Sequence, residues 1–145
     1  MSLFSLLSVS ASGMAAQRAR AELLAENLAN AETTRTPEGG PYRRKDAVFM
    51  SAAQASPFAS AFQQSLTEGV QGVEVTEVVV DPREPEKRYQ PSHPDADKDG
   101  YVAFPRVSPS EEMVDLMAAS RGYHANVSAM LAIKDMIFRS LDLLR

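Results

Sequence analysis

Between Leu3 and Ala31 the chain has no proline and one interior glycine, Gly13, and its side chains recur with a seven-residue period. Leu7, Met14, Ala21 and Leu28 form one stripe, and Leu3, Ser10, Gln17 and Leu24 form its companion. This heptad, with its small and polar-diluted second stripe, predicts one helix of about 28 residues, roughly 40 Å long. A helix of that length is only weakly stable by itself in water, because amphipathic helices draw most of their stability from packing. The stripe therefore requires a partner.

The other end of the chain supplies one. Ser108-Pro109-Ser110-Glu111 reads as an N-cap serine, a proline at the first helical position and a glutamate three residues after the cap. From there Met113, Ser120, Val127, Lys134 and Leu141 make one stripe, and Leu116, Tyr123, Met130, Ile137 and Leu144 make the other. The pattern predicts a second helix of about 50 Å. Two such helices can close on each other as a hairpin. Met117, Leu131, Phe138 and Leu143, however, lie outside both stripes, and a helix apolar on more than one face requires more than one neighbour. In a chain of 145 residues those neighbours are expected to be other chains.

Between the helices the chemistry changes. "TTRTPEGGPYRRK" is a loop by its prolines and glycines. "DAVFM", "GVEVTEVVV" and "YVAFP" read as short strands, rich in valine and aromatics and bounded by turn residues. The stretch from Asp81 to Gly100, with Pro82, Pro85, Pro91 and Pro94, is expected to be extended or turn, and 57–67 is a candidate short helix or insertion. The fold class is α+β: 1–31 and 108–145 form a coiled-coil-like helical part, and 32–107 forms a small β-rich middle.

The chemistry-bearing residues point away from catalysis. Asp95, Asp97, Asp99 and Gly100 open like a calcium loop, but its twelfth position, where a bidentate glutamate belongs, is Arg106. Pro91 and Pro94 also bar an entering helix, so the aspartates are expected to turn the chain. His93 and His124 lack any ligand-like spacing, which argues for structural roles and no metal or other cofactor. No cysteine, glycine-elbow serine or phosphate-cradling loop is present. A net charge of −4 argues against a nucleic-acid footprint, and Arg43-Arg44-Lys45 is expected to decorate an edge strand or meet an acidic neighbour. The serine-interrupted N-terminus lacks a positive n-region and is too short to span a bilayer, so neither a cleaved Sec signal nor membrane insertion is expected. The residues by themselves indicate a non-enzymatic protein that interacts through its helices.

Two stretches add a family. "ASGMAAQRARAELLAENLANAETTRTPEGGPYRRKDAVF" resembles the N-terminal region of bacterial flagellar rod and hook proteins, with Asn27, Ala29 and Asn30 matching their N-x-A-N element. "HPDADKDGYVAFPRV" followed by "EEMVDLMAASRGYHANVSAM" is similar to the proximal-rod members of that family in particular. The segment 52–69 looks longer than the family pattern, and Arg106 stands where asparagine is expected. The resemblance implies a structural subunit of the basal-body rod, which crosses the periplasm and passes motor torque to the hook. It implies export by the flagellar type III apparatus, with further copies, the export-gate adaptor FliE and the other proximal and distal rod proteins as partners. The implied assembly residues are Leu3, Leu7, Met14, Leu24, Asn27, Leu28 and Asn30 on the first helix. On the second they are Met113, Leu116, Met117, Tyr123, Asn126, Val127, Met130, Ile137 and Leu141. Asn27 and Asn30 are expected at the end of the first helix, as caps or in a left-handed conformation. The alternative reading is a helical binding module such as a flagellar export chaperone.

Overall fold

The computed structural model describes residues 3–51 and 71–142. In chain order the elements are α1 (Leu3–Ala29), β1 (Lys45–Ser51), β2 (Val73–Val80), β3 (Glu86–Tyr89), β4 (Tyr101–Phe104) and α2 (Pro109–Asp142). Two long helices thus flank a small middle of antiparallel strands, an α+β arrangement. The expected helix or insertion at 57–67 lies outside the described residues.

Several serines sit inside α1 despite their modest helix propensity. Ser8 and Ser12 turn their hydroxyls back onto the carbonyls of Ser5 and Val9, each at 2.8 Å, which satisfies the hydroxyl within the helix itself. The helix ends just after Ala29. Asn30 donates its backbone N–H to the Glu26 carbonyl at 3.1 Å and its side-chain Nδ2 to the same oxygen at 2.9 Å. Among the described residues only glycines have positive φ, so of the two expected roles neither asparagine takes the left-handed conformation. Asn30 closes the helix with its side chain instead.

α2 begins where the proline signal places it, at Pro109, with the Glu112 N–H donating to the Ser108 carbonyl at 3.0 Å. The capping box is only partly realised: Ser108 Oγ meets Ser110 Oγ at 3.1 Å, and Glu111 is exposed.

β1 and β2 form a two-stranded antiparallel sheet running from Lys45 opposite Val80 to Ser51 opposite Val73, with a bulge at Val48/Phe49. The sheet lies along α1: its root is at Asn27, and its far end is tied by the Val73 N–H, which donates to Ser12 Oγ at 3.0 Å. β3 and β4 pair separately, Glu86 opposite Phe104 and Tyr89 opposite Tyr101. β3 falls in the stretch expected to be mostly extended or turn. It gains a strand partner because Tyr89 packs edge-on against Tyr101 and the Arg88 guanidinium lies 5.0 Å from the Phe104 ring centre.

The aspartates between β3 and β4 do turn the chain. Asp97 Oδ1 accepts the N–H groups of Asp99 and Tyr101 at 2.9 and 2.8 Å, and Gly100 takes a φ of 81°. Asp95 pins the neighbouring loop by accepting from Thr34 Oγ1 at 2.8 Å. Val102, Phe104 and Val107 are buried and form the core of this small layer.

Candidate assembly interface

α1 and α2 pack antiparallel, and they do so unusually closely. A Cβ built on Gly13 would lie 2.9 Å from Asn126 Oδ1, and one on Gly122 would lie 3.1 Å from Gln17 Cδ. Each helix thus offers a glycine to an amide side chain of the other. Arg20 and Asp115 bridge the seam at 3.5 Å, and Asn27 reaches Glu112 at 3.1 Å.

The seam differs from the stripes read in the sequence. On α2 the buried residues are Glu112, Ala119 and Ile133, with Asn126 half-buried, one position before the expected stripe of Met113, Ser120, Val127, Lys134 and Leu141. The other stripe holds better: Leu116, Met130 and Ile137 are half-buried, and Tyr123 is at the margin. On α1 the companion stripe is the covered one, with Ser10 and Leu24 buried and Leu3 and Gln17 half-buried. Leu7, Met14, Ala21 and Leu28 are also only half-buried. The reason is geometric. Helices that approach at glycine contact leave room for small and amide side chains, and the bulky apolar ones are turned outward.

That outward face is extensive. Met113, Val114, Met117, Leu131, Phe138 and Leu141 of α2 are all about half exposed or more, from 50% for Met113 to 60% for Val114. The strands pack against α1, not α2, so within the described residues no element covers this side. A row of large apolar side chains exposed along a helix is a common mark of a surface that meets another molecule. Met113, Met117 and Leu141 of the implied assembly set lie on it. Leu24 and Asn27 do not. They are 3% and 0% exposed, enclosed by their own chain. Val114 borders the same face and was missed, because it fits neither stripe; Met136, also exposed, is two residues from Phe138 and so lies on nearly the opposite side of the helix.

Beneath the seam lies a polar junction. Asn27 uses every hydrogen-bonding position of its amide. Its Nδ2 donates to the Lys45 carbonyl at 2.8 Å and to Glu112 Oε2 at 3.1 Å. Its Oδ1 accepts the Tyr42 hydroxyl and the Lys45 N–H, both at 2.9 Å. Glu112, 2% exposed, receives Arg44 Nε at 2.5 Å, and Arg44 also reaches Asp46 at 2.9 Å. Lys45 Nζ pairs with Glu26 at 2.5 Å. The basic run meets acidic neighbours, one of the two roles expected of it. A buried carboxylate survives only when paired and hydrogen-bonded, and here it is both. Burial, then the Glu26 and Glu112 carboxylates, push the Tyr42 phenol up to about 12. Tyr42 and Glu112 were not singled out from the sequence, and Arg44 only as part of its basic run. A glutamate just inside a helix start reads as an ordinary dipole partner.

Known proteins resemble both ends of this chain in sequence. The family described as "Flagella basal body rod protein" matches residues 7–35, spanning most of α1 and its closing turn. The family described as "Flagellar basal body rod FlgEFG protein C-terminal" matches residues 98–143, spanning β4 and α2. The flagellar basal-body rod protein FlgC of Borreliella burgdorferi is 39% identical, with 100% of this chain and 99% of that protein covered. The FlgC proteins of Bacillus subtilis and Salmonella typhimurium are 39% and 38% identical, each over 99% of this chain. The chain belongs to the FlgC family of flagellar basal-body rod proteins. As a FlgC-family chain it is a structural subunit of the basal-body rod, and the family matches fall on the two helices that build the seam. No helix among the described residues is long and apolar enough to cross a membrane.

Proposed function

We propose that this subunit polymerises through the outward face of its helix pair, and that the resulting apolar seams carry motor torque from the basal body toward hook and filament. In this reading 1–31 and 108–145 form the inner, assembling part, and 32–107 forms an outer β-rich layer. Its neighbours are further copies, FliE and the other proximal and distal rod proteins, reached across the periplasm after export by the flagellar type III apparatus. Head-to-tail contacts that do not close generate a helical filament, which is the geometry a rod requires.

The observation that supports this most directly is the bare row on α2, with Leu131 at 56% and Phe138 at 54% exposure. Leucine and phenylalanine on a helix with no strand behind them among the described residues fit the core of an interface between chains. No observation favours the chaperone alternative, whose helices would be expected to enclose a client.

Leu131→Glu tests the proposal cleanly, because the residue makes no part of the intrachain seam. The purified variant should keep the helical circular dichroism of the parent, while cells carrying it export the protein, build no rod and do not swim. Full motility of this variant contradicts assembly through the outward face.

A further inference from the structure

We propose that Asn27 and Glu112 act as a register lock, selecting one alignment of the two helices and fixing the root of the β1–β2 sheet to that alignment. Part of the rest of the seam is poor at choosing. Ser10, Ala16 and Ala119 are buried and small, and small side chains present a nearly flat surface along a helix. There a slip by one heptad would exchange one small contact for another. It would also part Gly13 from Asn126 and Gly122 from Gln17, which adds a second, weaker preference for the native offset. Apolar and small seams specify that helices pair; a single buried polar group specifies how.

Asn27 meets that description. Its amide is satisfied in full only when three separate parts of the chain arrive together: Glu112 from α2, the Lys45 backbone from β1 and the Tyr42 hydroxyl from the preceding loop. Glu112 adds a fourth connection by holding Arg44. Any slip would leave the Glu112 carboxylate without the Asn27 donor, deep in the seam, and such a group is strongly disfavoured. The lock therefore couples two features that could otherwise vary independently: the offset of α2 along α1, and the direction in which the sheet leaves the helix pair.

Spin labels on the full chain test this, since it contains no cysteine of its own. Ala11→Cys and Ala118→Cys place labels on exposed positions of α1 and α2. A one-heptad slip moves one label about 10 Å along the seam. The parent should give a single narrow distance. Replacing the pair together, Asn27→Leu with Glu112→Leu, removes the polar demand between the two helices while keeping apolar bulk, and leaves the Tyr42 hydroxyl and the Lys45 backbone without their Asn27 partners. That variant should retain its helical circular dichroism and show a second distance in at least about a tenth of the molecules. One unchanged narrow distance in the double variant overturns the proposal, because something else then sets the register. A broad distribution in the parent overturns it too. Loss of the helical signal in the double variant also overturns it, since the pair would then hold the helices together instead of aligning them.

Discussion

Tyr42 shows how far one side chain depends on the junction around it. Its hydroxyl donates to Asn27 and lies near two carboxylates, so the neutral phenol is favoured in the folded state. In the unfolded chain the phenol ionises near the ordinary value of about 10. A folded-state value raised to about 12 means the native state holds its proton longer. Stability from this group is fully present below pH 10 and is lost as pH rises through 12. Urea midpoints measured from pH 9 to 12 should fall across that window, and Tyr42→Phe should flatten the fall while lowering stability at pH 7. Asn27→Ala is expected to cost at least about 1–3 kcal/mol at neutral pH, since it strands the Glu112 carboxylate and the Tyr42 hydroxyl. Little of this was legible in advance. The sequence marks Asn27 through its N-x-A-N context, but asparagine near a helix end suggests a cap, and only the folded chain brings Lys45 and Glu112 to it.

At the scale of elements, the two glycine contacts make unlike predictions. Glycine inside a helix costs about 1 kcal/mol relative to alanine, so replacement is favourable wherever there is room. At Gly122 the obstructing atoms belong to Gln17, a long side chain that can swing aside, and Gly122→Ala should be neutral or stabilising by up to about 1 kcal/mol. At Gly13 they belong to Asn126, which is held by its own bond to the Gly122 carbonyl at 2.9 Å. Gly13→Ala should therefore destabilise by itself and become stabilising once Asn126→Ala removes the obstruction. A double-mutant cycle by urea denaturation reads the difference, and simple additivity would show that the helices do not touch there. The elements themselves were mostly legible. Proline, glycine and valine placed both helices and three strands within a residue or two, because those signals are local. The seam was not legible, because counting apolar residues finds the face that is greasy, and in this chain the greasy face of α2 looks away from α1. β3 was missed for a related reason: Glu86-Lys87-Arg88-Tyr89 has no strand pattern of its own, and its pairing with β4 is a tertiary fact.

For the whole molecule the decisive feature is asymmetry. Among the described residues the sheet lies along α1 alone, so α2 keeps one long uncovered side. A 34-residue helix is about 51 Å long, and a side about 10 Å wide presents on the order of 500 Å² to a neighbour. A stable two-chain contact generally buries about 800 Å² on each partner. Purified chains should accordingly sediment as monomers at micromolar concentration and associate only weakly as concentration rises. Sulfate should strengthen that association, because it favours apolar burial. A sub-micromolar dimer would contradict the estimate. The same shortfall has a kinetic meaning. An arriving subunit gains a firm hold only where two or more earlier subunits border the same vacant position, as at the lip of a growing tube. Stray pairs formed elsewhere dissolve before a third can join them. On the assembly proposed above, growth of this kind has a threshold and a starting point, and a narrow strip of uncovered helix would keep polymerisation silent until a template is in place.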